Sequence, residues 1–569
     1  VTCGKRRLLS RGRVEAEQCS KHLDLGTSSL YRAWCALSSS PRSGLLAVAE
    51  EAGVGALHLF WGGSLATVLS AVCSILVARL LGPELYGVYS ISLVVSGFLM
   101  LFTDFGVSQA ITRFTALYSS RGEQGRVTSL LKTSLAFGLA VSIAVSLAGL
   151  ALADQLTSLL VGRPDVAHLV RLTLILIVVQ PISALLCSAL LGLGDMRGYA
   201  AVDVVRQAVR ASLSPLLALS FGVWGAVVGY VTAYVAGLLA SLALFYRRYA
   251  KVRGSRGPEA GVGEEGLKDM LSYGFPLYLS GALGSLAATI RGVALAHFTT
   301  NFEIGNFNAA MNFAVLVTLV SSPIATALFP AFSKLDSSEA RTMFAYSVKY
   351  TSALVIPAAA LVSALSQDLV FIVYGGVYSR APLYLALYST TFLLAGLGSV
   401  VLGSFFSGVG DTRVNLKATL IYVVLFAPSA VALTSALRVE GLVTAMIVAT
   451  AASTVYSLRV ATRKYGMWVD LKASAKICLA ALLAAIPTAP LATHTPLPMV
   501  ANLALCASLY LLIYSTAAPL LGGLTRRDVE ALAGMFERVA VLRPFVRALS
   551  SYEVKVLRLA ERLKSTSST

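Results

Sequence analysis

Long apolar stretches separated by short polar breaks run from about residue 55 to residue 521, a pattern that predicts an all-helical chain crossing a membrane many times. A span needs roughly 20 apolar residues to cover the hydrocarbon core. Fourteen stretches qualify: 56–81, 86–103, 130–152, 169–192, 199–221, 225–246, 272–298, 306–330, 349–373, 383–407, 415–436, 440–458, 474–492 and 499–521. The fold class expected is therefore an all-α polytopic membrane protein of about fourteen transmembrane helices.

The polar breaks repeat. Gly192-Leu193-Gly194-Asp195-Met196-Arg197 returns as Gly408-Val409-Gly410-Asp411-Thr412-Arg413, 216 residues on. Gly87-Val88-Tyr89 corresponds to Gly305-Asn306-Phe307, and Leu156 with Val161-Gly162 corresponds to Leu369 with Tyr374-Gly375. Anchors in one order at nearly one offset imply a duplicated six-helix unit. Because six is even, both copies enter from the same face and form a parallel repeat. The organisation expected is a basic N-terminal extension (1–54), a first lobe (55–246), a linker (247–271), a second lobe (272–458), an appended helix pair (459–521) and an amphipathic tail (522–569). The linker carries Gly254, Gly257, Pro258, Gly261, Gly263 and Gly266, a density that suits a flexible connection. The extension opens on Val1 and lacks pattern, which reads as an over-extended start, a disordered extension or a functional tail.

Composition supports the membrane reading: 56% of residues are hydrophobic, 13% are charged and the mean hydropathy is +0.76. Soluble proteins carry about 25% charged residues. The net charge of +18 invites nucleic acid as a partner, but its distribution points elsewhere. Arg79, Arg163, Arg171, Arg380 and Arg438 are the basic residues of one set of loops. The other set holds far more, among them Arg121, Arg126, Arg197, Arg247, Arg248, Lys251, Arg413, Arg463 and Lys464. This positive-inside asymmetry supports fourteen helices with both termini cytoplasmic, and the location expected is the cytoplasmic membrane of the cell. In the tail, Val539, Leu542, Val546 and Leu549 recur at helical spacing beside Arg538, Arg543 and Arg547. That pattern suits a helix lying on the inner membrane surface or one packed on the protein.

Cys73, Cys187, Cys478 and Cys506 fall in apolar spans, and Cys3, Cys19 and Cys35 lack metal-ligand spacing, so neither a disulfide framework nor a metal site is expected. No cofactor is expected. The Gly-x-Gly-Asp-x-Arg loops have no preceding strand, which excludes a nucleotide-binding loop. Gly192, Gly194, Asp195 and Arg197, with Gly408, Gly410, Asp411 and Arg413, read as structural turns in which the acids cap helices or pair across the loop.

Ala78-Arg79-Leu80-Leu81-Gly82-Pro83-Glu84-Leu85-Tyr86-Gly87-Val88-Tyr89, followed by Asp104-Phe105-Gly106 and Arg113-Phe114, resembles the polysaccharide flippases of the multidrug/oligosaccharidyl-lipid/polysaccharide exporter superfamily. The resemblance extends from about Gly55 to about Leu521. It implies two six-helix lobes in a V around a central cavity, as in the multidrug exporters of that superfamily. It also implies transfer of a polyprenyl- or dolichyl-phosphate-linked saccharide between leaflets. Many relatives carry an aspartate in the seventh span where this chain has Arg291, which argues against a family-style cation site there.

An arginine within a span costs about 2.5–3.5 kcal/mol on insertion scales, so it faces the bundle interior or reaches an interface. Arg291 reads as a cation meeting the lipid-linked phosphate, or as a side chain snorkelling to headgroups. Arg79 and Arg113, near Asp104, are phosphate ligands or topology signals. Asp203, Arg206, Gln207 and Arg210 share one face of the fifth span, lining a cavity mouth or anchoring the helix. Asn308 and Asn312, one turn apart, suit sugar hydroxyls or helix packing.

The leading function is alternating-access translocation of a lipid-linked saccharide for cell-surface glycan synthesis, by a monomer among membrane lipids, coupled to Na+, H+ or the membrane potential. A multidrug or cation antiporter is the alternative; it calls for buried acids, and the first span has none at its centre. A membrane enzyme would need acidic groups on a sizeable extramembrane loop, and the loops are short.

Overall fold

The computed structural model describes residues 43–253, 264–332, 337–494, 498–536 and 543–567. The extension before residue 43, the linker segment 254–263, and Arg538, Val539 and Leu542 lie outside the described residues. The first half contains α1 (Ser43–Ser92), α2 (Val94–Leu99), α3 (Val107–Ser120), α4 (Gln124–Ala151), α5 (Ala153–Val161), α6 (Ala167–Thr173), α7 (Leu176–Gly192) and α8 (Met196–Arg253). The second contains α9 (Glu264–Phe298), α10 (Asn301–Phe332), α11 (Ser337–Ala364), α12 (Ser366–Tyr374), α13 (Ala381–Ser389), α14 (Ser399–Gly408) and α15 (Thr412–Tyr465). Then come α16 (Leu471–His494), α17 (Met499–Leu520), α18 (Arg526–Phe536) and α19 (Arg543–Ser567). No strand occurs among the described residues.

Among the described residues ten helices are long and apolar enough to cross a membrane, or eleven if the bent pair Ala381–Leu397 and Ser399–Gly408 forms one span. The apolar run Met196–Tyr249 has 54 residues. As one straight helix it would measure about 80 Å, more than twice the hydrocarbon core. It folds back instead. Gly222 breaks it (φ 58°, ψ −136°), and a Cβ on Gly229 would lie 2.5 Å from the Ser214 Cα across the hairpin. The second half repeats the device. Arg438 breaks α15 at φ 53°, ψ −131°, and a Cβ on Gly441 would sit 1.9 Å from the Leu433 carbonyl oxygen, as one on Gly225 would from Leu217. Another break, at Gly82, divides α1. These breaks put more crossings into the chain than it has long helices; the figure of fourteen remains the expectation of the sequence.

The duplication extends to backbone angles. Helix α5 follows a break at Leu152 (φ −102°, ψ 14°), and α12 follows one at Leu365 (φ −101°, ψ 15°). The paired loops share a turn. Gly194 and Gly410 have φ of 76° and 80°; the Asp195 and Asp411 N–H groups donate to Leu190 and Phe406 carbonyls at 2.8 and 2.9 Å. Such a glycine-ended helix terminus satisfies carbonyls that the last turn leaves free. The Gly198 N–H donates to Asp195 Oδ1 at 2.8 Å, whereas Asp411 accepts from Lys464 Nζ at 2.6 Å and the Tyr465 hydroxyl at 2.9 Å. Arg197 and Arg413 are exposed. In these loops the glycines turn the chain, Asp195 binds the first turn of α8, and Asp411 tethers the far end of α15.

Aromatic packing fixes the second lobe at its linker end, where Phe332, Phe344, Phe405 and Phe406 are fully buried against one another. Outward-facing aromatics frame the apolar belt: Trp61, Tyr246 and Trp468 on the face that carries the linker, Phe221 and Trp224 on the opposite face. Amphipathic rings favour the two membrane–water boundaries. Helix α19 packs on α17 and α18, so the amphipathic tail rests on the protein.

Candidate functional site

The two lobes meet at both faces and leave a cavity between. On the face opposite the linker, glycines let backbones touch. A Cβ on Gly87 would lie 2.0 Å from the Asn301 carbonyl oxygen, and one on Gly305 would lie 1.9 Å from that of Pro83. Around these contacts the Tyr378 hydroxyl donates to the Ala78 carbonyl at 2.5 Å, and Arg163 donates to the Asn301 side chain and the Thr299 carbonyl. Asn312 donates to the hydroxyls of Tyr374 at 3.0 Å and Tyr86 at 3.4 Å.

On the linker face, a Cβ on Gly274 would lie 2.1 Å from the Gly106 carbonyl oxygen, and one on Gly106 would lie 2.2 Å from Gly274. The Arg113 guanidinium stands 4.1 Å from the Tyr273 ring centre, a cation–π contact across this closure. The Tyr278 hydroxyl donates to the Leu101 carbonyl.

Between the closures lies a cavity of about 570 Å³, walled by Ser90, Asp104, Gln109, Gln180, Tyr278 and Ser285 among others. Its lining is hydroxyl, amide and apolar, with Asp104 the one charged side chain. That carboxylate is engaged locally: Oδ1 accepts from the Ser108 N–H at 3.1 Å and hydroxyl at 2.5 Å, and Oδ2 accepts from the Gly106 N–H at 3.2 Å. It thereby caps the entry to α3.

The arginines marked by the sequence stand elsewhere. Arg206 pairs with Asp203 and lies 5.0 Å from the Tyr234 ring centre. Arg210 lies 4.8 Å from that of Tyr230 and donates to Ser70 Oγ at 3.3 Å, while the Cys73 thiol donates to its carbonyl at 3.3 Å. Both point into the first lobe. Arg291 is half-buried inside the second lobe, with its charge acting on Tyr388 and Tyr422. Arg79 and Arg113 are exposed, Asn308 donates to its own helix at Ile304, and Asn312 belongs to the closure described above. The candidate residues thus occupy separate places rather than one cluster. A guanidinium in a low-dielectric bundle is better served by fixed rings and hydroxyls within a lobe than by a groove whose walls part. Sequence reasoning missed Gly274, which carries no motif, and the tyrosines 230 and 234, whose i, i+4 spacing was the available signal. No group of three metal-ligating residues occurs among the described residues.

An all-helical, twofold-built membrane protein with a closable cavity between its halves has the architecture of the multidrug/oligosaccharidyl-lipid/polysaccharide superfamily. Residues 53–336 match the family model described as "Polysaccharide biosynthesis protein". The chain is 27% identical over 301 residues to the stage V sporulation protein B of Bacillus subtilis (strain 168), a match covering 49% of this chain and 58% of the relative. It is 24% identical to the succinoglycan biosynthesis transport protein ExoT of Rhizobium meliloti (strain 1021), covering 54% and 59%. The matches thus span a little over half the length of these relatives. Among solved structures it resembles the lipid II flippase MurJ in an inward closed conformation, with a TM-score of 0.65 and 15% identity, over 80% of this chain and 98% of that one. Through its first half the chain is thus similar to the polysaccharide-biosynthesis family, and its fold is that of the MurJ structure.

Proposed function

We propose that this protein moves a lipid-linked saccharide from one leaflet to the other by opening its two closures alternately. The observation that carries this reading is the pair of glycine-mediated closures at opposite ends of one interlobe cavity. Each is a contact between backbones that rocking of the lobes would break as a unit. The lining favours a saccharide, since Ser90, Gln109, Gln180 and Ser285 exchange hydrogen bonds without a fixed charge. Transport and flippase activities in the names of ExoT and MurJ support the same reading.

Arg291, Arg206 and Arg210, each held within its own lobe, would then favour an anionic head by their field rather than by contact. A cation antiporter would call for a carboxylate open to cargo, and both Asp104 oxygens already accept local hydrogen bonds. The protein acts as a transporter without catalysis, a monomer with both termini in the cytoplasm, driven by Na+, H+ or the membrane potential. The test is transfer of a fluorescent polyprenyl-pyrophosphate sugar across proteoliposomes, comparing wild type, Arg291→Ala and Gly305→Val. Transfer by the wild type that slows in both variants is expected. Absence of transfer together with ethidium export would refute the proposal.

A further inference from the structure

Two cavities adjoin where α17, α18 and α19 meet α11 on the linker face, far from the interlobe cavity, and Ala533 and Ser550 belong to the walls of both. The inner one, about 270 Å³, is lined mainly by apolar side chains such as Pro357, Leu361, Val529 and Leu549. Tyr514 and Ser550 donate to the Ala353 and Arg547 carbonyls, but two other polar groups are left without a partner. Tyr510 is fully buried with no acceptor for its hydroxyl, and Ser515, 1% exposed, has no well-formed hydrogen bond. A buried O–H left unpaired is costly, so such groups imply an acceptor that arrives with a ligand. Glu553 faces the same chamber. Burial pushes its carboxyl up to about 7, an effect tempered by the nearby Ser515, so a neutral acid form that can donate is well populated only below neutrality.

The outer cavity, about 470 Å³, is polar and holds Lys555, Arg558, Ser551 and Glu530. Glu530 is taken by Arg526 at 2.8 Å. Lys555 and Arg558 form no ion pair among the described residues. The result is an apolar chamber rimmed by hydrogen-bond donors and opening on two cations, a shape complementary to an amphiphile with an anionic head.

We propose that this composite cleft binds an anionic glycerophospholipid from the linker-side leaflet. Its phosphate lies against Lys555 and Arg558, its ester carbonyls accept from Tyr510 and Ser515, and one acyl chain fills the chamber. The orphan donors decide between lipid classes, because a polyprenyl phosphate has a phosphate but no carbonyl below it. The site stands independently of the transport reading.

Native mass spectrometry of the full-length protein in detergent, titrated with dioleoylphosphatidylglycerol or dioleoylphosphatidylcholine, tests this. Phosphatidylglycerol is expected to be retained on the order of tenfold more tightly, as two basic residues at a membrane surface allow. Lys555→Gln with Arg558→Gln should abolish the preference, and Lys555→Arg with Arg558→Lys should restore it. Tyr510→Phe should weaken both lipids, and Ala533→Trp, at the junction of the cavities, should exclude them. Monodisperse elution and an unchanged melting temperature certify each variant. Equal retention of the two lipids by wild type, unchanged binding in the double glutamine variant, or displacement of phosphatidylglycerol by undecaprenyl phosphate would each overturn the assignment.

Discussion

Replacing Gly305 by alanine should open the face opposite the linker. The added Cβ would lie 1.9 Å from the Pro83 carbonyl oxygen, where ordinary contact begins at 3.4 Å, so the oxygen would have to retreat by about 1.5 Å. No rotamer can relieve a clash with backbone. Overpacking of this kind costs typically about 1–3 kcal/mol per site, and Gly87→Ala adds a second clash with Asn301 in the same closure. Together they weaken the closed state by about 2–6 kcal/mol, a shift of roughly thirtyfold or more toward the open one. Neither glycine has a positive φ, so alanine adds no backbone strain that would confuse the result. The assay places a cysteine at Ser90, in the cavity wall, in a chain whose native cysteines are replaced, and follows its reaction with a membrane-impermeant maleimide added to either face. The double alanine variant should accelerate labelling from the face opposite the linker and leave linker-side labelling unchanged or slower. Gly274→Ala should do the reverse; it is a better probe than Gly106, whose φ of 87° would penalise any side chain. Unchanged labelling in both variants, or acceleration from the wrong face, would refute the two-closure reasoning.

Arg438→Gly should raise the melting temperature. Its left-handed conformation stores on the order of 1–3 kcal/mol, while the pair it forfeits, at 3.1 Å, joins an exposed guanidinium to a mostly buried Glu303 that keeps its hydrogen bonds from Thr300, a loss of about 1 kcal/mol; a lowered melting temperature would show that the pair outweighs the strain. The docking of α19 should weaken with rising pH. Glu553 has a folded value raised from 4.5 to about 7 by burial, so its contribution is complete below 4.5 and lost as pH rises through about 7; hydrogen exchange of α19 at pH 5.5 and 8 should show the loss, and Glu553→Gln should remove the pH dependence. Asp528→Asn should release α18. Burial alone would raise this carboxyl, but hydrogen bonds from Lys349 and Thr525 hold it below its ordinary value; removing the charge strands Lys349, which should cost about 3 kcal/mol and speed proteolysis between α18 and α19.

Apolar span length made the helices legible and the repeated polar anchors pointed to the duplication, because period and offset survive without knowing partners. The same holds for Gly194 and Gly410, whose turn is a local matter. Gly87 and Gly305 were visible as repeat markers but not as contacts, since what they touch lies across the molecule. Gly274 carried no signal at all. Arg206 and Arg210 were correctly placed on one face of a helix. A helical wheel, however, says only which residues share a face, and the neighbour of that face is the first lobe's own sixth span with Tyr230 and Tyr234. Arg438 illustrates another limit: its break is readable only by transferring the angles of Gly222 across the repeat.

That transfer also relates the two inward arginines. At the offset of Gly87 to Gly305, Arg291 corresponds to Cys73; at the offset of Gly222 to Arg438, Arg210 corresponds to Phe426. Cys73 touches Arg210 in the first lobe, and Arg291 lies within electrostatic reach of Tyr422, which stacks on Phe426 at 5.4 Å, in the second. Each lobe therefore sets one guanidinium between its own first and fifth helices, supplied from opposite partners. The sequences of the copies have diverged while the location of the charge has not. Bonds within a lobe, such as Arg206 with Asp203 and Arg210 with Ser70, survive any rigid rocking. Bonds from Tyr378 to Ala78, Asn312 to Tyr86 and Arg163 to Asn301 do not. At about 0.5–1.5 kcal/mol net apiece, the latter hold the face opposite the linker by a few kcal/mol. The linker face has fewer such bonds, from Tyr278 to Leu101 and from Ser134 to the Met270 sulfur, and is held besides by Arg113 over Tyr273, by Phe114 against Tyr273 and by Met270 buried against Ile111 and Leu130. One closure is thus held largely by directional hydrogen bonds and the other largely by ring and apolar contacts, so the two should yield to different substitutions, loss of the Asn312 amide loosening the face opposite the linker and truncation of Met270 or Tyr273 loosening the linker face.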